Sequence, residues 1–251
     1  MILIVNADDL GANEQVNDEI FDLIQAGVVT SATLMANTPG FEHAVQRIPR
    51  FRECSFGIHL NLTAFPPLSP LNGLEPILDD NGHLSKKLFN TKITPTLSRA
   101  LLQELTLQVE RALDAGVPVS HFDSHNHVHT IPKLFPVLKS LQRKFAIRKV
   151  RSTINLLPPG QKMREFRSFK KLAFRLALRY SYATSSPDGL GDFRDFYKLL
   201  RAGGVPRFRC LELIVHPGIP NPKYSGEVAA LRSGWRDLLA SDVRIGSYHS
   251  I

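Results

Sequence analysis

Several features are scarce in this chain. Two cysteines in 251 residues, Cys54 and Cys210, supply neither a disulfide framework nor a thiolate zinc knuckle, and both are expected as buried thiols. No apolar run approaches the roughly 18 residues that a membrane-spanning helix needs. The opening run Met1–Val5 is short and meets Asp8 and Asp9 at once, so no secretory leader is expected and the chain reads as soluble and cytoplasmic. Repeats, low-complexity tracts and linkers are missing, which points to a single domain over 1–251. Acids are also in short supply: 31 Lys and Arg stand against 23 Asp and Glu, a formal charge of +8. Between Arg143 and Arg179 there is a single acid, Glu165. What remains is ordinary globular composition, 43% hydrophobic and 22% charged, in a chain long enough to bury a core without staples.

Apolar runs alternate with amphipathic ones, the pattern of βα units around a parallel sheet. Strands are expected at Ile2–Val5, Ser31–Ala36, Phe56–Leu62, Val119–Asp123, Arg148–Arg151, Cys210–Val215 and Val243–Ser247. Helices are expected at Asn13–Gln25, around Phe41–Ile48, and at Arg99–Ala115, Leu134–Phe145, Met163–Tyr182, Phe193–Ala202 and Glu227–Ala240. In Arg99–Ala115 the apolar residues Leu101, Leu102, Leu105, Val109 and Leu113 share one face. The fold class is therefore α/β, an irregular, deformed TIM-type β/α barrel, with an open doubly wound sheet as the alternative. Residues 64–95, rich in Pro, Asn, Gly and Leu, read as an excursion over one end that acts as a lid.

Polar residues gather at or just past strand ends, where α/β folds place their sites. They are Asn6-Ala-Asp8-Asp9, then His59 with Asn61, then His121-Phe-Asp123-Ser-His125-Asn-His127-Val-His129, and His216-Pro-Gly218. Singly, each has a plain structural explanation: a helix cap, a buried histidine, a turn. Together they hold six of the nine histidines beside paired acids, and carboxylate plus imidazole suits Zn²⁺ and also Mn²⁺, Co²⁺ or Ni²⁺. Along a strand, residues i and i+2 face the same way about 6.6 Å apart, so at most two neighbouring histidines of the 121–129 run can share one ion.

Four blocks, in this order, resemble the YdjC-like carbohydrate deacetylase family, which includes chitooligosaccharide and hopanoid-associated deacetylases. They are Val5-Asn-Ala-Asp-Asp-Leu-Gly11, Gly57-Ile-His59-Leu-Asn-Leu-Thr63, His121 to His129, and His216-Pro-Gly218. Val29-Thr-Ser-Ala-Thr-Leu-Met35 also fits. The resemblance implies a deformed β/α barrel with one divalent ion, zinc first and magnesium, cobalt, manganese or nickel as other occupants. It implies Asp9, His59 and His125 as ligands, Asp8 as general base, His216 as general acid, and Arg151 as an arginine at the substrate. Asp123 could hold a neighbouring imidazole in one tautomer. The implied reaction removes an N-acetyl or other N-acyl group from an amino sugar of a glycan or glycolipid.

Two other classes stand beside it. A metal-dependent phosphoesterase would use two ions about 3.5–4 Å apart. A nucleic-acid-binding protein would explain the basic charge, but no recognisable module is present. The helix at 163–182 has a basic stripe, Arg164, Arg167, Lys171 and Arg175, and an apolar one, Phe166, Phe169, Ala173 and Leu176. It reads either as an outer helix packing its phenylalanines on the sheet or as an interfacial helix that brings the enzyme to anionic lipid. A homo-oligomer is compatible with either.

Overall fold

The computed structural model describes residues 1–156, 165–205 and 208–251, and for 165–170 the backbone alone. The chain runs β1 (Ile2–Leu10), α1 (Glu14–Gln25), β2 (Ser31–Leu34), α2 (Phe41–Val45), β3 (Ser55–Leu60), α3 (Pro95–Asp114) and β4 (Val119–Ser124). It continues through α4 (Phe135–Phe145), α5 (Glu165–Tyr180), β5 (Gly189–Asp192), α6 (Phe193–Arg201), β6 (Cys210–Val215), α7 (Glu227–Leu231) and β7 (Arg244–Gly246). Every strand pair is parallel, in the order β4-β3-β2-β1-β6-β5, with β7 beside the first residues of β1.

The side-chain period of two divides this sheet into two chemistries. Leu3, Val5 and Ala7 of β1, Phe56, Ile58 and Leu60 of β3, and Leu211, Leu213 and Val215 of β6 join the main apolar core beneath the helices. The alternate residues are Asn6 and Asp8, Gly57 and His59, His121 and Asp123, and Glu212. These are buried too, and they line the inner face. Because the strands are parallel, their C-terminal ends coincide, and Asp8, His59, Ser124, Asp192 and His216 reach one rim.

Among the described residues the regular strands do not close into a ring. β4 and β5 end the sheet, and the stretch between them, 149–155, touches each through single parallel bridges, Phe122 to Val150 and Asn155 to Leu190. The strand expected at Arg148–Arg151 is this bridging stretch. The strand the sequence hid is β5, whose glycines weaken the signal. They make room for neighbours: a Cβ on Gly189 would stand 2.5 Å from Phe208 Cε1, and one on Gly191 would stand 3.0 Å from Leu156 Cδ2. The helix expected over Glu227–Ala240 stops at Leu231, and Gly234, at φ 72°, starts a separate short turn.

Residues 64–95 form an ordered layer of turns that buries Leu74, Ile77, Leu84 and Leu88. Glu104 of α3 fastens it, and Gln108 one turn on holds Asn61 just before it. Glu104 Oε2 accepts from Ser69 N at 2.7 Å, and Gln108 bonds both backbone groups of Asn61 and Glu104 Oε1. Of the apolar stripe expected in α5, Ala173 and Leu176 are exposed, and Phe174 and Leu178 pack inward instead. Met163 and Arg164 lie outside the described residues, as do the side chains of Phe166, Arg167 and Phe169. Among the described residues no helix is long and apolar enough to cross a membrane.

Candidate active site

Adjacent residues of a regular strand point to opposite faces, so Asp8 and Asp9 should not both reach one cavity. They do because β1 is irregular: its register against β2 slips between Ala7 and Leu10, and Asp9 takes φ 64°. A left-handed backbone costs an L residue roughly 1–2 kcal/mol, and here it turns the second carboxylate to the site of the first. At the end of β4 a second departure follows, with Asn126 and His127 at φ 53° and 55°.

These bends bring three side chains together. Asp9 Oδ1 lies 2.9 Å from His125 Nδ1 and 3.3 Å from His59 Nε2. His59 is aimed by what lies behind it: its Nδ1 donates to Asp123 Oδ1 at 2.8 Å, and Thr33 Oγ1 donates to Asp123 Oδ2 at 3.0 Å. That fixes the tautomer and leaves Nε2 facing Asp9. Donor atoms sharing an ion at about 2.1 Å stand about 3.0–3.4 Å apart, so Asp9, His59 and His125 could hold one metal ion. Charge supports the fit. Burial opposes protonation of His59, yet Asp123 and Asp8 raise its pKa to about 10. The cluster therefore draws positive charge, and a divalent ion would compete with a proton for that imidazole.

A second group, Asp8, His59 and Asp123, is also close enough to share an ion. Its carboxylates are already matched. The guanidinium of Arg151 bonds Asp8 Oδ2 at 2.8 Å, lies 2.7 Å from Asp123 Oδ2, and bonds Glu212 Oε1 at 2.8 and 3.0 Å. A cation placed there would face a buried arginine, so the geometry favours the first group. The network continues downward: Tyr248 donates to Glu212 Oε2 at 2.7 Å, and its ring stacks on His121 at 3.4 Å. Burial opposes ionisation of Asp8, but Arg151, His59 and His216 outweigh it and hold the carboxyl well below its usual range.

The family model for YdjC-like proteins matches residues 2–241. The chain belongs to the YdjC-like family. A carbohydrate deacetylase of Geobacillus stearothermophilus is 39% identical over 151 residues, 59% of this chain and 60% of that protein. One of Brevibacillus brevis is 37% identical over 147 residues, 59% of this chain and 58% of the other. These matches span less than two thirds of either curated relative. A crystal structure from Enterococcus faecalis V583, ascribed to cellobiose-phosphate cleavage, superposes with a TM-score of 0.78 at 22% identity, covering 99% of this chain and 98% of the other. That similarity establishes the fold.

Around the YdjC-like cluster opens a cavity of about 820 Å³, lined by Asp8, Asp9, His59, His125, His127, His216 and Tyr224 among others. His216 Nε2 stands 3.9 Å from Asp8 Oδ2, and its ring stacks on Tyr224 at 4.0 Å. Its backbone N–H donates to buried Glu227, while its Nδ1 has no partner among the described residues. Arg151, expected as an arginine at the substrate, sits behind Asp8. It is fully buried, is not among the residues that line the cavity, and bonds Asp8. His121 and His129 turn away, the first onto Tyr248 and the second to Ser124 Oγ at 2.5 Å. Sequence reasoning missed Glu212, Tyr248, Thr33 and Glu227. Glu212 did leave a signal, a lone acid in an otherwise apolar strand; the others left none.

Proposed function

We propose that this YdjC-like protein is a metal-dependent hydrolase that removes an N-acetyl or other N-acyl group from an amino sugar of a glycan or glycolipid. The observation that carries the reading is the convergence of Asp9, His59 and His125 beside an arginine-held Asp8 at the floor of a wide polar cavity. The curated relatives, carbohydrate deacetylases, support it. A divalent ion held by the three would supply Lewis acidity, activating water and polarising the amide carbonyl.

The chain's own residues then divide the proton work. Asp8, kept ionised by Arg151, accepts the proton of the attacking water at its Oδ2, the oxygen that faces His216. His216 delivers a proton to the departing amine. Burial pulls its imidazole below the ordinary range; the proton it gives the amine is the one that Asp8 took from the water and passes on to it, which leaves Asp8 ionised again. Arg151 does no chemistry on the substrate; it orients Asp8. Residues 64–95, which place Lys86 on the cavity wall, serve as the lid over the sugar. The stretch 149–155 completes the sheet as a deformed barrel, keeping the charge network inside. A phosphoesterase with two ions fits less well, because Arg151 stands where a second cation would be needed.

Metal-free protein, supplied in turn with Zn²⁺, Co²⁺, Mn²⁺ or Mg²⁺, should release acetate from N-acetylated oligosaccharides or glycolipid head groups. Asp8→Asn should lower kcat about 10²–10⁴-fold with metal still bound, while His59→Ala should lose the metal. Full activity in Asp8→Asn, or in protein stripped of metal, would refute the assignment.

A further inference from the structure

Helix α5 presents an unusual outward face. At about 100° per residue, Leu172, Leu176 and Tyr180 form one stripe, opposite the Phe174 and Leu178 that fasten the helix to the protein. The three are 48%, 44% and 79% exposed, and Ala173 and Ala177 extend the same surface. Solvated helices place polar residues there. Arg175 and Arg179 run along one flank of the stripe. The stretch from Arg143 to Arg179 carries twelve basic residues and one acid.

At its C-terminal end the stripe reaches a cavity of about 670 Å³, lined by Arg175, Arg179, Tyr180, Ser185, Ser186 and Arg209. Asp188 takes Arg175 at 3.0 Å. Arg179 and Arg209 have no carboxylate partner among the described residues. Ile2 and Cys210, at the first residues of β1 and β6, also line it, so it lies at the end of the sheet away from the metal cluster. Towards the other end of α5, Lys171 Nζ donates to Asn155 Oδ1 at 2.8 Å, and Asn155 lines the catalytic cavity. The helix thus runs alongside the protein from one cavity towards the other.

We propose that α5 and this arginine pocket form a docking surface for an anionic membrane, with the leucines and Tyr180 entering the interface and a phosphate head group taken by Arg179 and Arg209. An apolar stripe edged by arginine is the composition of helices that lie in the bilayer interface, and the local excess of positive charge matches the negative potential of anionic lipid. Docking itself requires no assumption about the reaction.

The test uses the full chain and vesicles of phosphatidylcholine, with or without about one third phosphatidylglycerol. Sedimentation with the anionic vesicles at low salt is expected, with none on the neutral vesicles. Leu172→Ser with Leu176→Ser, and separately Arg179→Glu with Arg209→Glu, should each weaken binding at least about tenfold. Acetate release from a soluble substrate should stay unchanged in both, which separates this proposal from the enzymatic one. Failure to sediment would overturn it, as would anionic binding indifferent to the leucine changes. Complete release by excess inorganic phosphate would assign the pocket to a free anion. A dimer by light scattering that Leu172→Ser with Leu176→Ser converts to monomer would assign the stripe to a second copy.

Discussion

Arg151 offers the sharpest test of how this interior is held together. Its guanidinium is fully buried and is shared by Asp8, Asp123 and Glu212. Replacing it with methionine, close in length, leaves these carboxylates in the interior without their cation. Breaking a buried pair by removing one partner costs about 3–5 kcal/mol, a large share of the roughly 5–15 kcal/mol that holds a domain folded. With a urea slope of about 2.5 kcal/mol/M, a loss of about 4 kcal/mol moves the midpoint down by about 1.6 M. Glu212→Gln alone should cost less, about 1–2 kcal/mol, since the amide oxygen can still accept from Arg151 and the Tyr248 hydroxyl can accept from the amide N–H. The double variant is the decisive arm. Burial raises the pKa of Glu212, so once Arg151 is gone a neutral side chain there relieves part of the strain. Arg151→Met with Glu212→Gln should therefore be more stable than the sum of the single losses by about 1–3 kcal/mol. A midpoint shift below about 0.4 M for Arg151→Met, or strict additivity in the double variant, would refute the account of this network as a charge-balanced unit.

Other consequences can be checked alongside. Asp123→Asn leaves the three proposed ligands in place but weakens the acceptor that aims His59; metal affinity measured by calorimetry should fall about 10–100-fold, and unchanged affinity would contradict the arrangement. Gly57→Ala places a Cβ 2.5 Å from His121 Cε1, and Tyr248 behind the ring prevents retreat. A loss of about 1–3 kcal/mol in thermal unfolding is expected, and a Tm equal to wild type would count against it. Lys139 is buried against Gln142, Thr184 and the carbonyl of Leu178, and burial lowers its pKa to about 8. The unfolded chain then binds more protons than the folded one between about pH 8 and 10.5, so this residue makes stability rise with pH across that window. Relative to Lys139→Met, the wild type should gain stability there in urea titrations at several pH values; a gap independent of pH would rule this out.

Local sequence was sufficient for much of this molecule. Alternating apolar runs wrote β1, β3, β4 and β6, because a strand buried on both faces needs little besides its own side chains and parallel neighbours. The motif order brought Asp8, Asp9, His59, His125 and His216 to one rim, since parallel strands put their C-terminal ends together. Elsewhere the local signal misled. The glycines of β5 read as loop, although they leave room for Phe208 and Leu156. Only the folded chain shows that Arg151 points into the interior, towards carboxylates 28, 61 and 143 residues away. Only it shows that a bulge lets two adjacent aspartates share a site. The sequence singled out the residues proposed to carry the chemistry; only the tertiary structure shows which of them touch, because contacts between distant strands depend on register and backbone bends that no local pattern encodes.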